Sequence, residues 1–144
     1  MNKENKIKLF LVDDDALYLK NLEIEFLENA DFEIESYATG ELCVAKLANN
    51  PDVIILDYYL DDIDKNAMNG IQTLDQIKQY NPDISVVMLS AQDSIDVAVT
   101  CMHHRAFDYV VKSETAFLRI RKILTTIFTY KKMEKTLNWY MDRM

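Results

Sequence analysis

Five short apolar runs punctuate the chain, and each is followed by a stretch with helical spacing. The runs are IKLFLV (7–12), the more polar FEIESYA (32–38), VIIL (53–56), ISVVML (84–89) and FDYVV (107–111). After the first run, Leu19, Leu22, Phe26 and Leu27 recur at helical intervals, and Asp15 stands where an N-cap belongs. GELCVAKLANN reads as a helix ended by Asn49, Asn50 and Pro51. NGIQTLDQIKQY reads as one stopped at Asn81-Pro82, and DSIDVAVTCMHH as a fourth. The last helix is expected to begin near Ser113 or Glu114 and to run close to Met144.

Strands alternating with helices predict an α/β fold, a doubly wound five-stranded parallel sheet with an extended C-terminal helix. The runs at 7–12, 53–56 and 84–89 are apolar throughout, which suits strands covered on both faces. In such sheets the ligand crevice lies beyond the carboxyl ends of the strands, so the chemistry is sought there.

Composition narrows the class. A chain of 144 residues with 49% hydrophobic and 28% charged residues fits one soluble domain. Cys43 and Cys101 lack metal or CxxC spacing and are expected as buried free thiols. MNKENK and the short run after it are too short for a signal segment or a membrane span, so a cytoplasmic protein is expected. The net charge of −8 argues against direct nucleic-acid binding. The charge is uneven: nine Lys/Arg face 22 Asp/Glu up to Glu114, and seven face two from Thr115 on.

Reading just past each strand brings the chemistry together. Asp13, Asp14 and Asp15 follow the first strand and Asp57 follows the third. Ser90 and Ala91 follow the fourth, and Lys112 the fifth. Asp15 is most simply a helix cap. The other carboxylates, crowded at one edge, repel unless something neutralises them. A hard cation such as Mg²⁺ does so, taking one or two carboxylates, water and phosphate oxygens. A lysine and a hydroxyl beside it then read as phosphate contacts.

LFLVDDD, DVIILDYYL, VVMLSA and AFDYVVK occur in that order, and together they make the chain resemble a response-regulator receiver domain of two-component signalling. The likeness spans about residue 6 to about residue 125, which leaves 126–144 as an extension of the last helix. It implies a flavodoxin-like (βα)5 fold. It implies that Asp57 accepts a phosphoryl group from a phosphohistidine, delivered by a histidine kinase or phosphotransfer protein. It implies that Asp13, Asp14, Asp57 and the Tyr59 carbonyl hold Mg²⁺, and that Lys112 contacts the phosphate. Ser90 and Tyr109 match the switch pair that alters the surface of the fourth helix, last strand and last helix. On this reading the chain is not an enzyme beyond its own phosphorylation and dephosphorylation.

Three departures from the family pattern stand out. Twelve residues separate Asp57 from Gly70, without the usual proline and with Asp61, Asp62 and Asp64 present. That loop reads as a tolerated insertion, or as one that alters access to the site. Ser113 replaces the usual proline after Lys112, where the family commonly has a cis bond costing roughly 2.5–4 kcal/mol without proline. Arg105 stands where glycine is usual. None removes a catalytic group. Tyr59 and Gln92, two residues beyond Asp57 and Ser90, flank the site, and bulky Tyr59 is expected to hinder attacking water. His103 and His104 read as solvent-facing.

In the last helix Ile120, Ile123, Ile127, Tyr130, Leu137 and Met141 form a heptad-like stripe interrupted by Glu134. It fits a homodimer seam or a linker, and the switch surface is a second dimer surface. A membrane-lying helix ranks lower. The rivals to the switch are a haloacid-dehalogenase-like phosphatase, a flavodoxin-like FMN carrier and a phosphorylation-independent scaffold. The phosphatase wants a second Asp where Tyr59 stands. The FMN carrier wants a hydroxyl- and glycine-rich loop where this chain has acids.

Overall fold

A computed structural model describes residues 6–144, so the first five residues of the N-terminal reading lie outside the described residues. The strands are β1 (Ile7–Val12), β2 (Phe32–Tyr37), β3 (Val53–Asp57), β4 (Ser85–Ser90) and β5 (Asp108–Val111). They pair in parallel in the order β2-β1-β3-β4-β5. The helices are α1 (Ala16–Leu27), α2 (Gly40–Ala45), α3 (Gly70–Tyr80), α4 (Ile95–His103) and α5 (Ala116–Met141). The doubly wound sheet expected from the apolar runs is therefore present.

Side chains alternate across a strand, so a continuous apolar run feeds two cores. Leu9, Leu11, Val53, Ile55, Val87 and Leu89 face one side and pack with Leu22 and Phe26 of α1 and with Ile120 and Leu124 of α5. Phe10, Val12, Ile54, Leu56, Val86 and Met88 face the other side, against Leu74 and Ile77 of α3 and Cys101 of α4. Each such side chain contributes about 1.5–3 kcal/mol by leaving water. Cys43 and Cys101 are buried free thiols.

Helix starts follow side-chain caps. Asp15 accepts from the N–H groups of Leu17 and Tyr18, and Asn69 forms a capping box with Gln72. Thr39 and Ser94 cap α2 and α4.

Several boundaries differ from expectation. Leu27 is 63% exposed, because it sits about 100° around the helix from buried Phe26. α2 stops at Ala45, and a 3₁₀ turn (Leu47–Asn49) carries the chain to Asn50 at φ 59°. The α5 stripe divides. Ile120, Ile123 and Ile127 are core, whereas Tyr130, Leu137 and Met141 are exposed. His103 is exposed as expected, but His104 places Nδ1 2.7 Å from Asp75 Oδ1 and ties the end of α4 to α3.

Arg105 adopts φ 72°, the left-handed turn that glycine would otherwise occupy. For an L side chain this costs roughly 1–2 kcal/mol. Among the described residues there is no cis peptide bond, so Lys112–Ser113 is trans.

Gly70 packs against the backbone that follows Asp57. A Cβ there would lie 2.5 Å from the Asp57 carbonyl oxygen and 2.7 Å from Tyr58 Cα. We expect Gly70→Ala to lower stability by about 1–3 kcal/mol in urea unfolding, through overpacking. Unchanged stability would show that this close approach is not required.

Candidate functional site

The site forms where the strand order reverses between β1 and β3, at their carboxyl ends. Parallel register delivers its members: Val12 pairs with Leu56, Asp57 with Leu89 and Ser90 with Val111. Asp57 and Ser90 close β3 and β4, Asp13 and Lys112 stand one step beyond β1 and β5, and all four thus reach the same edge. The Lys112 N–H donates to the Ser90 carbonyl at 2.8 Å, which fixes where the lysine leaves the sheet.

Asp13 and Asp57 are buried, and Asp14 is half-buried. Carboxylate oxygens of all three lie within 4.8 Å of one another. Lys112 Nζ lies 2.8 Å from Asp13 Oδ2 and 3.4 Å from Asp57 Oδ1. The first contact is a close ion pair, and Lys112 is the one charged partner of buried Asp13 Oδ2 among the described residues. Asp13 Oδ1 accepts the Asp15 N–H at 2.9 Å, and Asp57 Oδ1 accepts the Tyr59 N–H at 3.3 Å.

Burial pushes the Asp57 carboxyl up from 3.8 to about 7, and the charge of Asp13 adds to this. Lys112 and the Tyr59 N–H oppose it. Asp14 is also raised, first by burial, while the Ile63 N–H opposes the rise. Burial alone would lower Lys112. Its contacts with Asp13 and Asp57 outweigh that and hold it above the ordinary lysine value.

This donor set suits a hard divalent cation: oxygens alone, three carboxylates within one ion's reach, and a single lysine to balance their charge. Other positions complete the edge. Ser90 is buried, and its Oγ accepts the Gln92 N–H at 3.1 Å. Tyr109 does not reach the carboxylates; its hydroxyl donates to the Gln92 carbonyl. The Tyr59 hydroxyl donates to Gln92 Oε1 at 3.0 Å.

A scan of family models matches the response regulator receiver domain over residues 9–135. The chain belongs to this family. A receiver is a phospho-accepting signalling switch, and none of the comparisons points to a phosphatase or a flavin carrier. The regulatory protein LuxO of Vibrio cholerae is 32% identical over 100 residues, covering 69% of this chain and 21% of that protein. A protein-glutamate methylesterase/protein-glutamine glutaminase of Clostridium acetobutylicum is 36% identical over 118 residues, covering 78% of this chain and 32% of that one. The chain therefore spans a third or less of these curated relatives. The receiver domain of a LuxO repressor protein from Vibrio parahaemolyticus superposes with a TM-score of 0.78 at 24% identity, covering 92% and 97% of the two chains.

Within this receiver, two features escaped the sequence reading. The long loop after Asp57 is not a free insertion: Leu60 is buried, and the Ile63 N–H donates to Asp14 Oδ2 at 3.3 Å. Tyr18 places its ring 4.4 Å below Lys112 Nζ. Its position three residues beyond the Asp15 cap, on the first turn of the helix that follows the acids, was the available signal. A groove of about 740 Å³ lies at the opposite end of the sheet, beside α5, and none of the site residues lines it.

The raised Asp57 carboxyl has a defined effect on stability. A carboxyl raised from 3.8 to about 7 favours the folded protein while protonated. That contribution is complete below pH 4 and is lost as pH rises through about 7. Without divalent cations, Asp57→Asn should remove this loss and be more stable than wild type at pH 8 by about 2–4 kcal/mol. Thermal unfolding in chelator across this range checks it, and parallel pH curves for the two proteins would contradict it.

Proposed function

We propose that Asp57 is the phospho-accepting residue of this receiver, and that a phosphohistidine on a sensor kinase or phosphotransfer protein is the donor. The supporting observation is the gathering of Asp13, Asp14 and Asp57 oxygens within 4.8 Å, with Lys112 Nζ 3.4 Å from Asp57 Oδ1. An Asp57 oxygen attacks phosphorus, the P–N bond breaks with its electron pair leaving on the imidazole nitrogen, and an acyl phosphate forms. When bound by Asp13, Asp14, Asp57 and the Tyr59 carbonyl, Mg²⁺ supplies the charge that lets a phosphate approach these carboxylates. Lys112 holds the remaining phosphoryl oxygens by charge-assisted hydrogen bonds. The chain turns over nothing but its own phosphoryl group, in the cytoplasm, and does not itself bind nucleic acid.

The Ser90 hydroxyl is already beside Asp57's strand and has its proton free to donate to the new phosphoryl oxygens. Because its oxygen accepts from the Gln92 N–H, and the Gln92 carbonyl accepts from Tyr109, a move of Ser90 reaches Tyr109 through Gln92. The surface of α4, β5 and α5 is the two-state element thus biased. Residues 126–144 serve as an output segment. Exposed Tyr130, Met133, Leu137 and Tyr140 alternate by three and four residues along α5, the spacing of a seam for a second copy. No described helix is long and apolar enough to cross a membrane.

Incubation with Mg²⁺ and acetyl phosphate should add the mass of one phosphoryl group, absent in Asp57→Asn, and the phosphorylated form should elute earlier on a sizing column. A mass gain unaffected by the substitution would refute the assignment of Asp57, and unchanged elution would refute the dimer. Tyr59, clasped to Gln92, roofs the crevice against water. Tyr59→Asn is therefore expected to hydrolyse the acyl phosphate severalfold faster, and equal decay rates would remove that role.

A further inference from the structure

A lysine that leaves the sheet without a proline behind it must be aimed by something else. Lys112 has four rotatable side-chain bonds, and its following peptide is trans. Its ammonium lies 4.4 Å from the Tyr18 ring centroid, on the ring face. The Tyr18 backbone and the Tyr18 ring are each held by one contact. The Tyr18 N–H donates to the Asp15 cap at 3.2 Å, and Phe117 of α5 meets the ring edge-on with centroids 5.9 Å apart. Phe117 in turn packs on Phe26, and Phe26 on Phe32. The Tyr18 hydroxyl is buried and makes no hydrogen bond, so the side chain is not anchored by its oxygen.

We propose that Tyr18 is a positioning residue for the phosphoryl-transfer site, its ring face aiming the Lys112 ammonium at Asp13 and Asp57. The contacts close a ring: Asp13 accepts from the Asp15 N–H, Asp15 caps Tyr18, Tyr18 carries Lys112, and Lys112 returns to Asp13. A cation over an aromatic face is attracted by the ring quadrupole, most strongly where water is excluded. The face is what matters, so phenylalanine should substitute and an aliphatic side chain should not.

The proposal rests on Asp57 as phospho-acceptor, and two readouts separate its failure from failure of that reading. The first needs no phosphorylation. In the metal-free protein, NMR of the Lys112 ε-methylene should show an upfield ring-current displacement, retained in Tyr18→Phe and lost in Tyr18→Leu. The second compares rates with acetyl phosphate against Mg²⁺ affinity by calorimetry. Tyr18→Leu should slow phosphorylation about tenfold with Mg²⁺ affinity unchanged, and Tyr18→Phe should restore the rate to within about twofold. Absence of the ring-current displacement in wild type, equal slowing by Phe and Leu, or a matching loss of Mg²⁺ affinity would each overturn it. Should wild type take up no phosphoryl group while the displacement is present, the acceptor assignment fails and the aiming of Lys112 stands.

Discussion

Three carboxylates, two of them buried, share one edge of the sheet with a single ammonium, and that electrostatic imbalance is the constraint on which the site depends. Like charges this close cannot all ionise freely in a low-dielectric setting. The sheet forces the arrangement, because Asp13 and Asp57 end adjacent parallel strands whose registers are fixed by two apolar cores. A one-residue slip would exchange the faces of every strand side chain, so the packing of the cores also holds the charges in place. A divalent cation held among these carboxylates would relieve that crowding.

The fold was legible because its information is local and repeated. Continuous apolar runs separated by capped helices admit few alternatives, and Asp15, Asn69 and Ser94 mark helix starts in the sequence itself. The site's polar members were legible for a related reason, since position after a strand determines position at the edge. What stayed hidden depends on side-chain direction. Leu27 satisfies a spacing pattern yet points to water, and the α5 stripe continues in sequence past Ile127 although its burial ends there. Tyr18 reads as one more apolar position on α1. Only the crossing of α5, with Phe117 at its start, turns the Tyr18 ring under Lys112. The return of the acidic loop to Asp14 is equally non-local, made by a backbone N–H that carries no sequence signature.

The departures from the family pattern share a character. At Ser113 and in the proline-free loop a backbone restriction is absent and a side-chain or loop contact stands in its place. Lys112 is aimed by an aromatic face rather than by a cis bond, and the turn before β5 accepts a left-handed arginine. The loop after Asp57 is fastened by Leu60 and Ile63. Local geometry is thereby shifted onto tertiary packing, so the site depends on the integrity of α1 and α5.

α5 is one unbroken helix whose first half is clamped to the sheet and whose second half overhangs it. At about 1.5 Å per residue, the overhang from Ile127 to Met141 is roughly 20 Å long. It has the proportions of a lever whose fulcrum would be the last buried isoleucine. A tilt of about 5° at the clamp, too small to disrupt the core, carries the tip sideways by roughly 2 Å. Mechanical amplification of this kind needs no hinge, only stiffness and an unequal division between the gripped and the free part of the rod.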